Sequence, residues 1–213
     1  MKVNEIFYSI EGEGRRAGMP CVFIRLFGCN LNCSYCDTRY SCSGEDCTEM
    51  SVEEILKRVK KFDCPNITVT GGEPLIHKDI DVLLEELSSR DYQVNVETNG
   101  SIVPTSNNDS NIFYTVDYKT YSSGMTDRMN PKVFSTMSIF DVLKFVVGSR
   151  EDLDQAYEFV KNNNIIADIY VSPIFGQIEP KEIVEYLKEH HLNFWKIQLQ
   201  LHKYIWEPQK RGV

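Results

Sequence analysis

The chain has 213 residues, 42% of them hydrophobic and 25% charged, an ordinary balance for a soluble globular protein with one substantial core. With 31 acidic against 23 basic side chains the formal charge is −8, which argues against a nucleic-acid surface built from clustered lysine and arginine. The longest apolar runs are about six or seven residues, far short of a membrane span, and residues 1–7 lack the apolar stretch of a secretory signal. A cytoplasmic location is therefore expected, with no membrane and no nucleic acid among the partners.

Taken in chain order, Cys21-Val-Phe-Ile-Arg-Leu-Phe27 reads as a strand interrupted only by Arg25. Directly after it comes Cys29-Asn-Leu-Asn-Cys33-Ser-Tyr-Cys36-Asp-Thr38, then a polar stretch holding Cys42 and Cys47. Ser51-Val-Glu-Glu54 is a capping box opening a helix whose apolar positions Val52, Ile55, Leu56, Val59 and Phe62 keep the helical period. A β-branched strand over residues 65–70 ends at Gly71-Gly72-Glu73-Pro74. A second helix buries Ile80, Leu83, Leu84 and Leu87.

The alternation continues with a strand over 92–97 ending at Thr98-Asn99-Gly100, and one over 111–116 ending at Asp117-Tyr118-Lys119. Residues 120–140 read as irregular. Strand 142–147 precedes a helix marked by Leu153, Ala156, Tyr157 and Val160. Strand 167–171 ends at Ser172-Pro173-Ile174, and Pro180 suits the first turn of a helix carrying Ile183, Val184 and Leu187. The last strand, 194–198, leads into Leu201-His202-Lys203.

Strands alternating with helices imply a parallel sheet wrapped by helices. The elements are too few for an eight-fold barrel, so the expected fold is α/β: an incomplete TIM-like barrel of about six parallel strands with surrounding helices, in a single domain spanning 1–213. The unusual polar segments nearly all follow the C-terminal ends of strands, the face that carries the active site in α/β barrels. One composite site is expected there.

Seven cysteines, an odd number and clustered early in the chain, do not form a disulfide framework. A closed zinc site needs four ligands, and the x3–x2 spacing of Cys29, Cys33 and Cys36 supplies three. Cys42 or Cys47 could add a fourth, which leaves a zinc-stabilised, non-catalytic binding module as one reading. The other is a 4Fe–4S cluster on three thiolates, with one iron open to an outside ligand.

The cysteine spacing, with Tyr35 before the last cysteine and Gly71-Gly72-Glu73-Pro74 after the next strand, resembles the radical S-adenosylmethionine superfamily. The resemblance implies that the open iron chelates S-adenosylmethionine, whose reductive cleavage starts radical chemistry. It places Tyr35 near the adenine, and Gly72 and Glu73 near the methionine amino group. Further cofactor contacts carry over to Glu97 (at the ribose), to Asp117, Tyr118 and Lys119, and to Ser172, Pro173, Ile174 and Phe175.

Three more stretches narrow the likeness: Glu5-Ile-Phe-Tyr-Ser-Ile-Glu-Gly-Glu-Gly14, Asp37-Thr38, and His202-Lys203-Tyr204. With Glu97-Thr-Asn-Gly100 they resemble the 7-carboxy-7-deazaguanine synthase family from about residue 5 to the end. That family rearranges a carboxylated tetrahydropterin with loss of ammonia and requires Mg2+. Substrate contacts are implied at Ile10, Glu11, Gly12, Arg25, Thr70 and His202, and a Mg2+ contact at Thr38. A homodimer and an electron donor such as flavodoxin or ferredoxin are implied as well.

Arg25 also stands out physically, because a carboxylated ligand offers its guanidinium a bidentate partner. Lys144 and Lys196, which interrupt two other strands, read as solvated or structural. Some family members end soon after His-Lys-Tyr, with the terminal carboxylate in the substrate site. Here the chain runs on through residues 209–213, and the stretch 41–47 has no assigned role. A glycyl-radical activating enzyme, which shares the cysteine spacing, remains an alternative within the superfamily.

Overall fold

In the computed structural model, which describes residues 1–42, 44, 46–105, 109–208 and 210–213, side-chain alternation along the strands separates the core from the site. The strands are β1 (Lys2–Ile10), β2 (Pro20–Leu26), β3 (Thr48–Glu49), β4 (Asn66–Gly71), β5 (Gln93–Thr98), β6 (Ile112–Tyr118), β7 (Val142–Val147), β8 (Asp168–Pro173) and β9 (Trp195–Ile197). They form one sheet in the order β3-β1-β2-β4-β5-β6-β7-β8-β9. From β2 onward through β4–β9 every pairing is parallel. The expected incomplete barrel is therefore present, and its ends are the short strands β3 and β9.

Successive residues of a strand point to opposite faces. Ile24, Leu26, Val69, Val94, Val96, Leu143, Phe145 and Val171 are fully buried in apolar clusters shared with the helices. The intervening residues Arg25, Thr70, Glu97, Asp117, Lys144 and Ser172 face the barrel interior, and the registers Arg25↔Thr70 and Asp117↔Lys144 set them side by side. Mainly apolar surface thus drives assembly on one face, while the other is left polar.

The helices are α1 (Val52–Val59), α2 (Ile80–Ser88), α3 (Pro131–Ser135), α4 (Arg150–Asn162), α5 (Pro180–Glu189) and α6 (His202–Ile205). The capping box at α1 forms as expected: Glu54 N–H donates to Ser51 Oγ at 3.2 Å, and Ser51 N–H to the Glu54 carboxylate at 2.8 Å. On α2, Ile80, Leu83, Leu84 and Leu87 are buried, each contributing roughly 1.5–3 kcal/mol of transfer free energy.

Three features were not expected. β1 is a nine-residue strand antiparallel to β2; its sequence mixes lysine, asparagine and glutamate with apolar residues and shows no buried run. The stretch 120–140, expected to be irregular, contains α3 and two single 3-10 turns. The third is the route of the loop between β1 and β2. Because β1 runs against β2, this loop starts at the opposite end of the barrel from the cysteines.

That loop seals the floor. Arg16 donates to Gln93 C=O at 2.8 Å, to Ile67 C=O at 2.8 Å and to Thr68 Oγ1 at 3.0 Å, with its guanidinium over Phe113. Farther across, Gly14 exchanges two hydrogen bonds with the Gln198 amide, at 2.6 and 2.9 Å. Leu201 N–H donates to Gly12 C=O at 3.0 Å. Both the β4–β5 half and the β9 end of the sheet are therefore bonded to one loop.

Candidate active site

Cys29, Cys33 and Cys36 are free thiols lining a cavity of about 270 Å³. The turn carrying Gly71 and Gly72 locks beneath them: Gly72 N–H donates to Leu26 C=O at 3.1 Å and Glu73 N–H to Gly28 C=O at 2.8 Å. A Cβ on Gly71 would stand 2.1 Å from the Leu26 carbonyl oxygen, and one on Gly72 2.1 Å from that of Gly28. The protein's own backbone needs both glycines before any ligand does.

The donor set suits a cluster. Hydrogen bonding from Cys42 is the main reason that the Cys29 and Cys36 thiols are brought down to about 6, against the opposing effect of burial. The Asn99 amide adds a contact to Cys29 at 3.8 Å. Cys33 is raised by burial. Among the described residues no three Cys, His, Asp or Glu side chains form a group that could hold a single metal ion; thiols lining one cavity are the donor type that iron–sulfur clusters take.

Of the residues that resemblance places near the cofactor, Tyr35, Gly72, Glu97, Asp117, Lys119, Ile174 and Phe175 line the cavity. The Tyr35 hydroxyl is buried with no hydrogen-bond partner among the described residues, a group left for a ligand. Burial would raise the Asp117 carboxyl, but Lys119 at 3.0 Å and Lys144 at 3.5 Å hold it below its ordinary value.

Four expected side chains lie elsewhere. Tyr118, one step out of phase with Asp117, packs between Phe134, Phe145 and Phe159 on the helix side. Pro173 pairs with Val147 in the sheet and is buried away from the cavity. Ser172 is fully buried and donates to Glu13 Oε1 at 3.1 Å. Glu73 is fully buried and accepts from Asn99 N–H, Thr98 Oγ1 and Leu75 N–H at 2.7, 2.8 and 3.0 Å. Its carboxylate is a brace between two strand ends, and burial pushes it up to about 7.

The residues expected to meet the substrate all reach the cavity: Ile10, Glu11, Gly12, Arg25, Thr70 and His202, with Thr38 beside Cys36. Arg25 uses only Nε, on Glu5 at 2.8 Å, among the described residues, leaving its terminal nitrogens for a ligand. Thr70 donates to Glu97 at 2.7 Å. Burial, with Glu97 nearby, lifts Glu11 to about 7 although Thr68 and Arg16 bond it. His202 is packed against Gly12, and burial lowers it, favouring the neutral ring.

Other lining residues were not anticipated. Lys144, expected to be solvated or structural, is 6% exposed and pairs inside the barrel with Glu13 at 3.2 Å and Asp117 at 3.5 Å. Its phase relative to Leu143 and Phe145 is the signal that points it inward. Lys196, by contrast, is exposed and pairs with Asp168 at 3.0 Å, as expected. Gln200 donates to Glu13 at 3.0 Å.

Past Pro208, residue 209 lies outside the described residues, but Lys210, Gly212 and Val213 line the cavity. Arg211 holds this tail on Asp46 at 2.9 Å and over the Tyr40 ring. In the stretch 41–47, residues 43 and 45 lie outside the described residues.

Comparison with known proteins agrees with this geometry. The family model of the radical SAM superfamily matches residues 23–110. The chain is 43% identical to the 7-carboxy-7-deazaguanine synthase of Clostridium acetobutylicum, covering 100% of this chain and 99% of that one. Against the enzyme of the same name from Chlorobaculum tepidum it is 39% identical, covering 100% and 97%. The crystal structure of QueE from Escherichia coli shares the fold, with a TM-score of 0.77 at 22% identity over 93% of each chain. The chain belongs to the 7-carboxy-7-deazaguanine synthase family of radical SAM enzymes.

Proposed function

We propose that this enzyme converts 6-carboxy-5,6,7,8-tetrahydropterin into 7-carboxy-7-deazaguanine with release of ammonia. The observation that carries the reading is the convergence of three free thiols and the expected substrate side chains on one cavity. Cys29, Cys33 and Cys36 would hold a 4Fe–4S cluster, with S-adenosylmethionine beside Tyr35, Gly72, Asp117 and Lys119. When bound and reduced, this pair supplies a radical that takes a hydrogen atom from the substrate.

The chain's own residues bind and orient. The free nitrogens of Arg25 face the substrate carboxylate, and His202 and Thr70 fix the ring. Glu11 and Glu97 offer carboxyl groups, raised by burial, to the amino and amide edge of a pterin. The floor loop and the tail residues that line the cavity would help to keep bulk water from the reacting atoms. Thr38 would contact a Mg2+ completed by substrate oxygens and water. A cytoplasmic homodimer served by a flavodoxin or ferredoxin, built as one domain, completes the proposal.

Anaerobic incubation of the reconstituted enzyme with reductant, S-adenosylmethionine, Mg2+ and the carboxypterin tests it. Deazaguanine product is expected from wild type and none from Cys33→Ala. No product from wild type, or equal product from the variant, overturns the reading.

A further inference from the structure

The role of Cys42 is not explained by the proposed function. Four cysteines line the cavity: Cys29, Cys33, Cys36 and Cys42. Cys47 is not among the lining residues, and Cys21 and Cys64 are buried. Cys42 follows the 3-10 turn Arg39–Ser41 and is held there by several bonds. Gly28 N–H donates to Ser41 C=O at 2.7 Å, fastening this turn beside the residue that precedes Cys29. Ser41 is fully buried and its hydroxyl donates to Thr38 C=O at 2.8 Å. Cys42 N–H donates to Arg39 C=O at 3.0 Å, and its thiol reaches Thr38 C=O at 3.7 Å. Thr38 thus lies against both Cys42 and Cys36, whose sulfur is 3.8 Å from the Thr38 hydroxyl, and Cys42 faces the same cavity as Cys29.

We propose that Cys42 is the fourth thiolate of the cluster when S-adenosylmethionine is absent, and that S-adenosylmethionine displaces it. The inference rests on the three-cysteine cluster of the proposed function. A cuboidal cluster spreads its ligands to four corners. Three are taken by the motif, and Cys42 is the one other soft ligand among the residues that line the same cavity. The Cys42 thiol releases its proton as the iron–sulfur bond forms. It takes a proton back when the amino and carboxylate groups of S-adenosylmethionine replace it, and no electron changes hands. A resting cluster with four thiolates keeps its fourth iron and is closed to other ligands until the cofactor arrives.

The test uses wild type and Cys42→Ala reconstituted anaerobically without S-adenosylmethionine, matched for iron content, then oxidised with ferricyanide. An iron lacking a protein ligand is lost, and the three-iron cluster that remains is read by electron paramagnetic resonance. The variant is expected to give a several-fold larger three-iron signal than wild type, with the difference removed by adding S-adenosylmethionine before the oxidant. Equal signals without the cofactor overturn the inference.

A second measurement needs no variant. In cluster-loaded wild type, iodoacetamide is expected to alkylate Cys42 only after S-adenosylmethionine is added, as read by peptide mass. Equal alkylation with and without the cofactor overturns the inference as well. If wild type assembles no four-iron cluster at all, the proposed function fails first, and iron analysis separates that outcome from the others.

Discussion

Lys144 Nζ lies 3.2 Å from Glu13 Oε1, and both groups are enclosed by the barrel. The pair joins the floor loop to β7, and the same ammonium also faces Asp117. Removing one partner of a buried ion pair leaves the other charge uncompensated, at a cost of about 3–5 kcal/mol. Lys144→Met is expected to lose that much in urea unfolding followed by tryptophan fluorescence. A loss under about 1 kcal/mol, the size of an exposed pair, would show that Lys144 is not the internal counter-ion described here.

Gly71 and Gly124 both have positive φ, at +144° and +70°. A Cβ on Gly124 meets nothing within 4 Å, whereas one on Gly71 collides with the Leu26 backbone at 2.1 Å. Gly124→Ala should therefore cost only the left-handed penalty of about 1–2 kcal/mol. Gly71→Ala should cost several times more and prevent cluster assembly, because the cysteine loop and the β4 end could no longer dock. Thermal melts of the two variants, with iron analysis of each, check the contrast.

Glu11 is raised from 4.5 to about 7 by burial, with Glu97 adding to the effect. A carboxyl raised on folding takes up a proton as the chain folds. Its contribution to stability is full below about pH 4.5, declines as pH rises to about 7, and is constant above that. The stability difference between wild type and Glu11→Gln, measured by denaturant titration at a series of pH values, should fall across this window and then level off. A difference independent of pH would contradict the buried, raised carboxyl.

Thr38 lines the cavity with its hydroxyl 3.8 Å from Cys36 Sγ. Thr38→Ala is expected to weaken the stimulation of turnover by Mg2+ while leaving the cluster absorption spectrum unchanged. Unaltered Mg2+ dependence would remove Thr38 from the metal site, and a lost cluster would make it a support for Cys36 instead.

The parallel strands and the four longer helices were legible because their apolar positions follow the periods of 2 and 3.6. β1 was not, since its side chains are only partly buried and its order comes from pairing with β2. β3 has two residues and α3 five, too short for any period to show. The cysteines, Arg25 and the strand-end motifs were readable as residue types out of place. Reading Asp117, Tyr118 and Lys119 as a block was less successful, because strand alternation sends the middle residue to the helix side. The same rule, applied to Leu143-Lys144-Phe145, would have sent Lys144 into the barrel. The placement of Cys42 on the same cavity as Cys29 was out of reach, since it depends on a backbone bond from Gly28 to Ser41.

An open sheet has no closing row of hydrogen bonds to set its curvature, so something else must hold its two ends at a fixed separation. Here the floor loop is that strut, bonded through Arg16 to β4 and β5 and through Gly12 and Gly14 to the segment just past β9. The strut also carries Glu11 and Gly12, which line the cavity next to Ile10 at the end of β1. A ligand that bonds Glu11 or Gly12 would therefore bear on the same loop that ties β4 and β5 to the segment past β9.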